Sequence, residues 1–274
     1  MALDPHMMIA GTLRHIDGWR RDAEDPRDWH APTPTMVLPS RADLRSLCPP
    51  VGDQGPIGSC TANAGCEALE FLERNGRRDR LFSRLFVYYC TRQAEGTLPA
   101  DDAGAQLRTT VKVLATIGAP YEATWSDDSP QTRFAVEPSV AAKTEANRHK
   151  VLFYYRCPNL DTVKASLAQG YPVVFGFSVP DNMLGDRCAQ DGIVLPPSPD
   201  EAWQGGHAVL AVGYDDNQPV GNERGAILAQ NSWGPDWGIK GCFWLPYSYF
   251  ANEDPQNPGA MLANDCWTLR RAQV

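Results

Sequence analysis

Cys60 lies in a sequence context that suits nucleophilic chemistry. It follows Gly58-Ser59 and opens a run in which apolar residues recur at three- and four-residue steps, which predicts a helix that begins near this cysteine. The N-terminus of a helix presents unpaired N–H groups and the positive end of the dipole, so we expect the thiol pKa to fall below its usual value of about 8.5. Gln54, six residues upstream, is a neutral donor suited to an oxygen near the sulfur.

A base and a group to orient it follow much later in the chain. His207 precedes the apolar run from Ala208 to Tyr214, and Asn231 comes directly after another strand-like run, two residues before Trp233. A thiol nucleophile needs a neighbouring base, and the base needs a third group that holds its ring. Cys60, His207 and Asn231 together satisfy this requirement.

In this order the motifs resemble those of the papain-like cysteine peptidases, and more closely their short bacterial members. The resemblance runs from about Leu38 to the end of the chain, and an early segment, Leu38 to Arg45, looks like the start of a mature family enzyme. Several motifs in the family's order are a far stronger signal than any one of them. The motifs that carry the resemblance in this chain are Gln54-(five residues)-Cys60, His207-Ala-Val, Gly213-Tyr214 and Asn231-Ser-Trp-Gly-(two residues)-Trp237-Gly238.

The resemblance implies a hydrolytic cysteine endopeptidase. Cys60 would attack a peptide carbonyl as a thiolate, and His207 would stabilise it as an imidazolium and then protonate the leaving amine. Asn231 would hold the imidazole, with Trp233 covering that bond from solvent. Gln54 and the Cys60 N–H would hold the oxyanion. The alternative, from another class, is a binding or effector protein on the same scaffold with weak or no peptidase activity.

Substrate binding is assigned to Gly104, Gly206 and Trp233. Gly104 occupies the place where family members use a Gly-rich turn to pair with substrate backbone, although an ordinary loop before a helix explains it equally well. Thr61 is a departure, because the better-known enzymes carry Trp directly after the nucleophile, and it is expected to alter the floor of the primed side.

The pattern predicts an α+β fold of two lobes within residues 38–274. A helical lobe is expected over about residues 55–135 and a mostly antiparallel, barrel-like β lobe over about residues 150–274, with the site in the cleft between them. Residues 126–149, with their prolines and mixed charge, are interpreted as the connection.

Residues 1–37 are predicted to form an N-terminal extension, of which residues 1–6 resemble a vector-derived leader. Prolines favour an extended course over the surface. One interpretation is a loosely held tail. The other is a zymogen-like segment in which Trp19 and Trp29 anchor the chain across the cleft and inhibit the enzyme.

Composition excludes some partners. A net charge of -8 and a pI near 5.1 argue against nucleic acid and anionic membranes, and no apolar run approaches the roughly 20 residues that span a bilayer. We expect a monomer that acts on peptides or proteins, is cytoplasmic or exported, and has no cofactor and no metal.

The remaining cysteines, and the histidines other than His207, are not predicted to take part in catalysis. Eight cysteines are present, and besides Cys60 we expect mostly buried free thiols, with a Cys90–Cys157 or Cys90–Cys188 bridge left open. Three histidines in polar segments are predicted to be solvated, namely His15, His30 and His149.

Overall fold

The structure is a computed structural model that describes residues 5–35, 37–73, 80–98, 102–126, 130–198 and 200–272. Its helices are α1 (Cys60–Leu72), α2 (Arg84–Glu95), α3 (Leu107–Thr116), α4 (Pro130–Arg133), α5 (Val140–Ala146), α6 (Leu160–Ala168), α7 (Asp181–Leu184) and α8 (Asp186–Asp191), with 3-10 turns at Arg45–Leu47 and Tyr247–Phe250. Its strands are β1 (His6–Ile9), β2 (Thr12–His15), β3 (Trp19–Arg20), β4 (Arg41–Asp43), β5 (Ala105–Gln106), β6 (Val151–Arg156), β7 (Val173–Pro180), β8 (Trp203–Val220), β9 (Glu223–Gln230), β10 (Cys242–Pro246), β11 (Glu253–Asp254), β12 (Asn257–Met261) and β13 (Ala263–Ala272).

Helix α1 is the centre of the helical lobe. Residues 60 to 71 of this helix are all buried, because α2 and α3 pack on one side and strand β8 of the other lobe packs on the other. A helix that is covered all round has little freedom to tilt or slide. The predicted start at Cys60 is confirmed, and the helix fixes this residue at the boundary between the lobes.

A buried ion pair joins α1 to α2. Glu70 of α1 accepts hydrogen bonds from the Arg84 guanidinium and from the Phe82 N–H, the latter at 2.7 Å. Ser83 caps α2 by accepting a hydrogen bond from the Phe86 N–H at 3.1 Å. Together these bonds hold the two helices in a fixed relation.

The β lobe is an antiparallel sheet, as predicted. Its strand order is β10-β9-β8-β7-β13-β6, and β4 also pairs with β8. Strand β13 lies between β7 and β6 and is missing from the sequence-based prediction. Its alternation of apolar and polar residues is interrupted by a bulge between Asn264 and Trp267, and its buried Asp265 is paired with Arg156 at 2.8 Å.

Several expectations need correction. Residues 126–149 include helices α4 and α5 as well as connecting chain. His30 is exposed as predicted, whereas His15 is buried and His149 is largely buried against Glu73 at 3.0 Å. All eight cysteines are buried free thiols, so neither candidate bridge forms.

Candidate active site

Cys60 and His207 come together where α1 packs against β8. Cys60 is fully buried, and the backbone N–H groups of Thr61 and Ala208 lie close enough to its sulfur to lower the thiol pKa. Ala208 directly follows His207 in β8. The structure therefore places the predicted nucleophile beside the backbone of the predicted base.

The imidazole of His207 is held by Asn231. Nε2 of His207 donates to Oδ1 of Asn231 at 2.8 Å, and the Ser232 N–H donates to the same oxygen at 2.8 Å. This arrangement places the ring proton on Nε2 and leaves the lone pair on Nδ1, which makes no hydrogen bond to any described residue. Trp233 stacks on the ring at a centroid distance of 5.0 Å. Nδ1 is thus the nitrogen available to take up a proton.

Gln54 is fixed beside the same loop. Its Oε1 accepts a hydrogen bond from the Ser232 hydroxyl at 2.5 Å, while its Nε2 donates to the Ile57 carbonyl at 3.1 Å and to the His15 carbonyl at 3.5 Å. The Gln54 N–H donates to the Ser232 carbonyl at 2.9 Å. The amide is oriented as a donor, and a carbonyl of the N-terminal extension already faces it.

The N-terminal extension passes directly over the sulfur. We call residues 15–22 the cleft segment. A Cβ on Gly18 would lie 2.9 Å from Sγ of Cys60 and 2.8 Å from the Gly58 carbonyl oxygen, closer than such contacts normally come. The Gly18 carbonyl accepts a hydrogen bond from the Ala105 N–H at 2.9 Å. This carbonyl is therefore bound to the helical lobe rather than to the oxyanion donors.

Backbone contacts hold the cleft segment on both walls. On one wall, β3 pairs in parallel with β5, and Gly104, with φ +62°, allows Gly18 to approach so closely that a Cβ on Gly104 would be 2.5 Å from its oxygen. On the other wall, the Gly206 N–H donates to the Asp17 carboxylate at 3.0 Å, and a Cβ on Gly206 would lie 2.6 Å from the Trp19 carbonyl oxygen. Both predicted substrate-binding glycines thus contact the cleft segment.

Charged side chains also bind the cleft segment to both lobes at points away from the Cys60 sulfur. The segment's arginines form ion pairs with partners in both lobes, Arg20 with Glu95 and Arg21 with Asp254. At the C-terminal end of the segment, Asp22 accepts hydrogen bonds from the Arg108 N–H at 3.0 Å and from the Trp267 indole at 2.9 Å.

Asp22 lies in a buried cluster of mixed charge. Its N–H donates to Asp265 at 2.7 Å, and the Arg156 guanidinium lies 3.6 Å from its carboxylate. Burial and the Asp265 carboxylate raise the pKa of Asp22, against the opposing effect of the Arg108 contacts. Asp22 is therefore easier to protonate while the segment is docked than a solvated aspartate is.

The expectation of a lowered thiol pKa is wrong for this covered arrangement. Burial raises the pKa of Cys60 to about 12, and the carboxylates of Asp17 and Asp102 add to the rise, while the N–H groups of Ala208 and Thr61 oppose it. Burial likewise lowers the pKa of His207 to about 4, against the Asn231 hydrogen bond. The helix terminus acts in the predicted direction, but loss of water outweighs it. The pair is neutral while the segment covers it.

Comparison with known proteins decides the family. A family model described as papain family cysteine protease matches residues 38–252. The chain belongs to the papain family of cysteine proteases. A viral relative, an uncharacterized peptidase C1-like protein of Acanthamoeba polyphaga mimivirus, is 36% identical over 229 residues, which cover 80% of this chain and 68% of that protein.

Solved structures agree on the fold. Xylellain, a cysteine protease from Xylella fastidiosa, is 33% identical, with a TM-score of 0.80 and 99% of both chains covered. Digestive procathepsin L 3 of Tenebrio molitor larval midgut is 19% identical, with a TM-score of 0.64. The match covers 88% of this chain and 73% of the procathepsin chain, and at this identity it supports the fold alone. The predicted α+β papain-like fold is confirmed.

Within this papain-family site, the two tryptophans of the extension have different positions. Trp19 is buried in the cleft, with 4% of its surface exposed, whereas Trp29 is 68% exposed and lies against Tyr155 outside the cleft. Trp29 is therefore not a cleft anchor. Trp237 is buried edge-on against Trp233, with the ring centroids 5.1 Å apart.

Sequence reasoning missed the residues that cover the protease site. Gly18 and Asp17 touch it from the extension, and Asp102 accepts the Gly58 N–H at 2.8 Å beside His15, whose ring lies 3.8 Å from it. A glycine next to a tryptophan in the extension was the available signal. Among the described residues no cluster of three or more His, Cys, Asp or Glu is arranged to hold a metal, and no helix there has the length and apolar character to cross a bilayer.

Proposed function

We propose that this papain-family protease is a cysteine endopeptidase that its own cleft segment holds inactive. The observation that carries the proposal is the position of Gly18 on the Cys60 sulfur, inside a cleft that also contains His207, Asn231 and Gln54. Substrate cannot reach the sulfur until the segment leaves.

The chemical roles follow from the geometry of the opened site. Once water and substrate replace the segment, the burial that favours the neutral pair is relieved, and proton transfer from Cys60 to Nδ1 of His207 gives the thiolate and the imidazolium. The thiolate attacks the substrate carbonyl, and Gln54 Nε2 and the Cys60 N–H stabilise the oxyanion. His207 then protonates the leaving amine, the acyl-enzyme forms, and water, deprotonated by His207, releases the product acid.

The docked segment is protected from cleavage by its orientation. Gly18, which lies against the sulfur, has its carbonyl bound by the Ala105 N–H, and the carbonyl that faces the Gln54 amide belongs to His15. Nucleophile and oxyanion donor thus face different peptide units. Cleavage requires both at one carbonyl, so the segment acts as an inhibitor rather than a substrate.

A point substitution tests this proposal better than truncation, because the extension also contributes buried side chains such as Ile9 and Ile16. We expect Trp19→Ala in the full chain to raise the rate of peptide hydrolysis, and the added Cys60→Ala substitution to abolish it. Hydrolysis that persists without the thiol would refute the assignment of Cys60. An unchanged rate in Trp19→Ala would refute inhibition by the segment.

The filled cleft is also the observation that favours the alternative, a binding protein with little peptidase activity. The two functions differ in whether the opened cleft contains a reactive thiolate. Stoichiometric alkylation of Cys60 in the Trp19→Ala chain at about pH 5.5, where an ordinary thiol is almost wholly protonated, supports the enzyme. Absence of labelling and of hydrolysis in the opened chain supports the binding protein.

A further inference from the structure

The indole of Trp19 fills a pocket whose floor is a glycine. Gly176 lies in the middle of β7, and a Cβ built there would be 1.9 Å from Cε2 of Trp19 and 2.4 Å from its Nε1. These distances are impossible for real atoms, so any side chain at residue 176 would exclude an indole from this place. The absence of a side chain at Gly176 creates the space.

The pocket belongs to the catalytic cleft. Gly176 is the cross-strand partner of Ala208, and the next residue, Phe177, is the partner of His207. On the segment side, Trp19 is paired with Ala105 and follows Gly18, which touches the sulfur. A substrate side chain that enters this pocket therefore lies within one or two residues of the scissile bond.

The pocket offers the indole nitrogen no hydrogen-bond acceptor among the described residues. Nε1 of Trp19 is buried and makes no hydrogen bond to any described residue. Gly176 and Ser178 share the face of β7 that Trp19 covers, while Phe175 and Phe177 lie on the other face, where Phe175 packs against Phe250 and Phe177 packs against Phe243 and the His207 ring. Because these aromatic residues fill the core behind the strand, the floor cannot recede further to admit a side chain at residue 176.

We propose that this Trp19 pocket, with Gly176 as its floor and Gly206 at its wall, selects a tryptophan or another fused-ring aromatic side chain of the peptide substrate. Gly176 is the residue that determines this selectivity. The proposal rests on the proposed function, because the pocket receives substrate only after the cleft segment has left. A smaller side chain would leave part of the pocket empty and lose contacts.

A binding series tests the pocket without catalysis. Peptides with the sequence of residues 13–24 carry Trp, Phe, Leu, Ala or benzothienylalanine at the position of Trp19 and are titrated into the full-length Cys60→Ala, Trp19→Ala chain. We expect the Trp peptide to bind roughly 10–200-fold more tightly than the Ala peptide. Benzothienylalanine, which has the same shape without the N–H, should bind at least as tightly as Trp, since no acceptor awaits that N–H. Equal affinity for Trp and Ala would overturn the proposal.

Substrate profiling tests the same pocket during turnover. In the Trp19→Ala chain, a fluorogenic peptide library is expected to show a preference for Trp at one position. Adding Gly176→Val should lower the ratio of hydrolysis of the Trp substrate to hydrolysis of the matched Ala substrate roughly 10–200-fold. Gly176→Ala, a milder change should the valine variant fail to fold, should act in the same direction.

The two possible failures are distinguishable. If the opened chain hydrolyses no peptide and Cys60 resists alkylation, the proposed function fails, and the binding series still decides the pocket. If the opened chain hydrolyses peptides with no preference for a fused aromatic side chain, or if Gly176→Val lowers Trp and Ala substrates equally, the pocket proposal fails and the proposed function stands.

Discussion

A side chain at Gly18 should activate the enzyme. Its Cβ would meet the Gly58 carbonyl oxygen at 2.8 Å and the Cys60 sulfur at 2.9 Å. Neither neighbour can retreat easily, because the Gly58 N–H is bound to Asp102 at 2.8 Å and Cys60 begins a helix that is buried on all sides. The cleft segment itself must move away.

The size of the effect follows from the cost of overpacking. Forcing extra carbon atoms into a filled site typically costs about 1–3 kcal/mol. If the covered form of the cleft is destabilised by this free energy relative to the open form, the population of the open form rises about 5- to 150-fold. Gly18→Val should lie toward the upper end of this range and Gly18→Ala toward the lower end. The catalytic groups are unchanged once the segment and its new side chain have left.

The assay is the initial rate of hydrolysis of a fluorogenic peptide by full-length variants at a substrate concentration well below KM. Gly185→Ala is the matched control, since nothing lies within 4 Å of a Cβ at that residue and its φ of -77° suits alanine. We expect Gly18→Val to exceed Gly18→Ala, and both to exceed the wild type and the control. Equal rates in all four proteins would show that close contact at Gly18 does not keep the site covered.

Three further predictions address catalysis, pH dependence and stability. Gln54→Ala in an opened chain should lower kcat about 10²–10³-fold with little change in KM, measured by steady-state kinetics; a change confined to KM would contradict an oxyanion role. The pKa of Asp22 is raised above its ordinary 3.8 by burial and by Asp265, so its stabilising protonated form is complete below 3.8 and is lost as pH rises through the raised pKa. The unfolding temperature of Asp22→Asn minus that of the wild type should therefore be higher at about pH 8 than at about pH 4; a pH-independent difference in thermal scans would argue against this. Arg84→Met leaves Glu70 buried without its cation and should lower the free energy of unfolding by about 3–5 kcal/mol in denaturant titration, whereas a loss below about 1 kcal/mol would show that the pair is not structural.

The catalytic motifs were predictable from sequence because their residue types and order carry the information. Cys60 at a helix start, His207 in a strand and Asn231 at a strand end each follow from local pattern, and the structure brings them together as the family resemblance implies. The two lobes were also predictable from the sequence. The apolar residues recur with helical spacing in the first half of the chain and with strand-like alternation in the second half.

Other features depend on contacts between distant parts of the chain. The thiol pKa reverses its predicted direction because a segment about forty residues upstream buries Cys60, which no local pattern around the cysteine reports. Trp19 and Trp29 have similar surroundings in sequence, yet only Trp19 faces a glycine floor in β7. Strand β13 escaped prediction because its polar residues are buried in pairs with other elements.

Site-resolved alkylation of Cys60 measures directly whether the cleft segment shields the thiol. Full-length wild type and Gly18→Val are treated with iodoacetamide at about pH 5.5, and modification of each cysteine is followed by mass spectrometry, with the other buried thiols as internal references. We expect Cys60 to be protected in the wild type and to become the fastest-modified thiol in Gly18→Val. Equal modification rates for Cys60 in the two proteins would contradict this expectation.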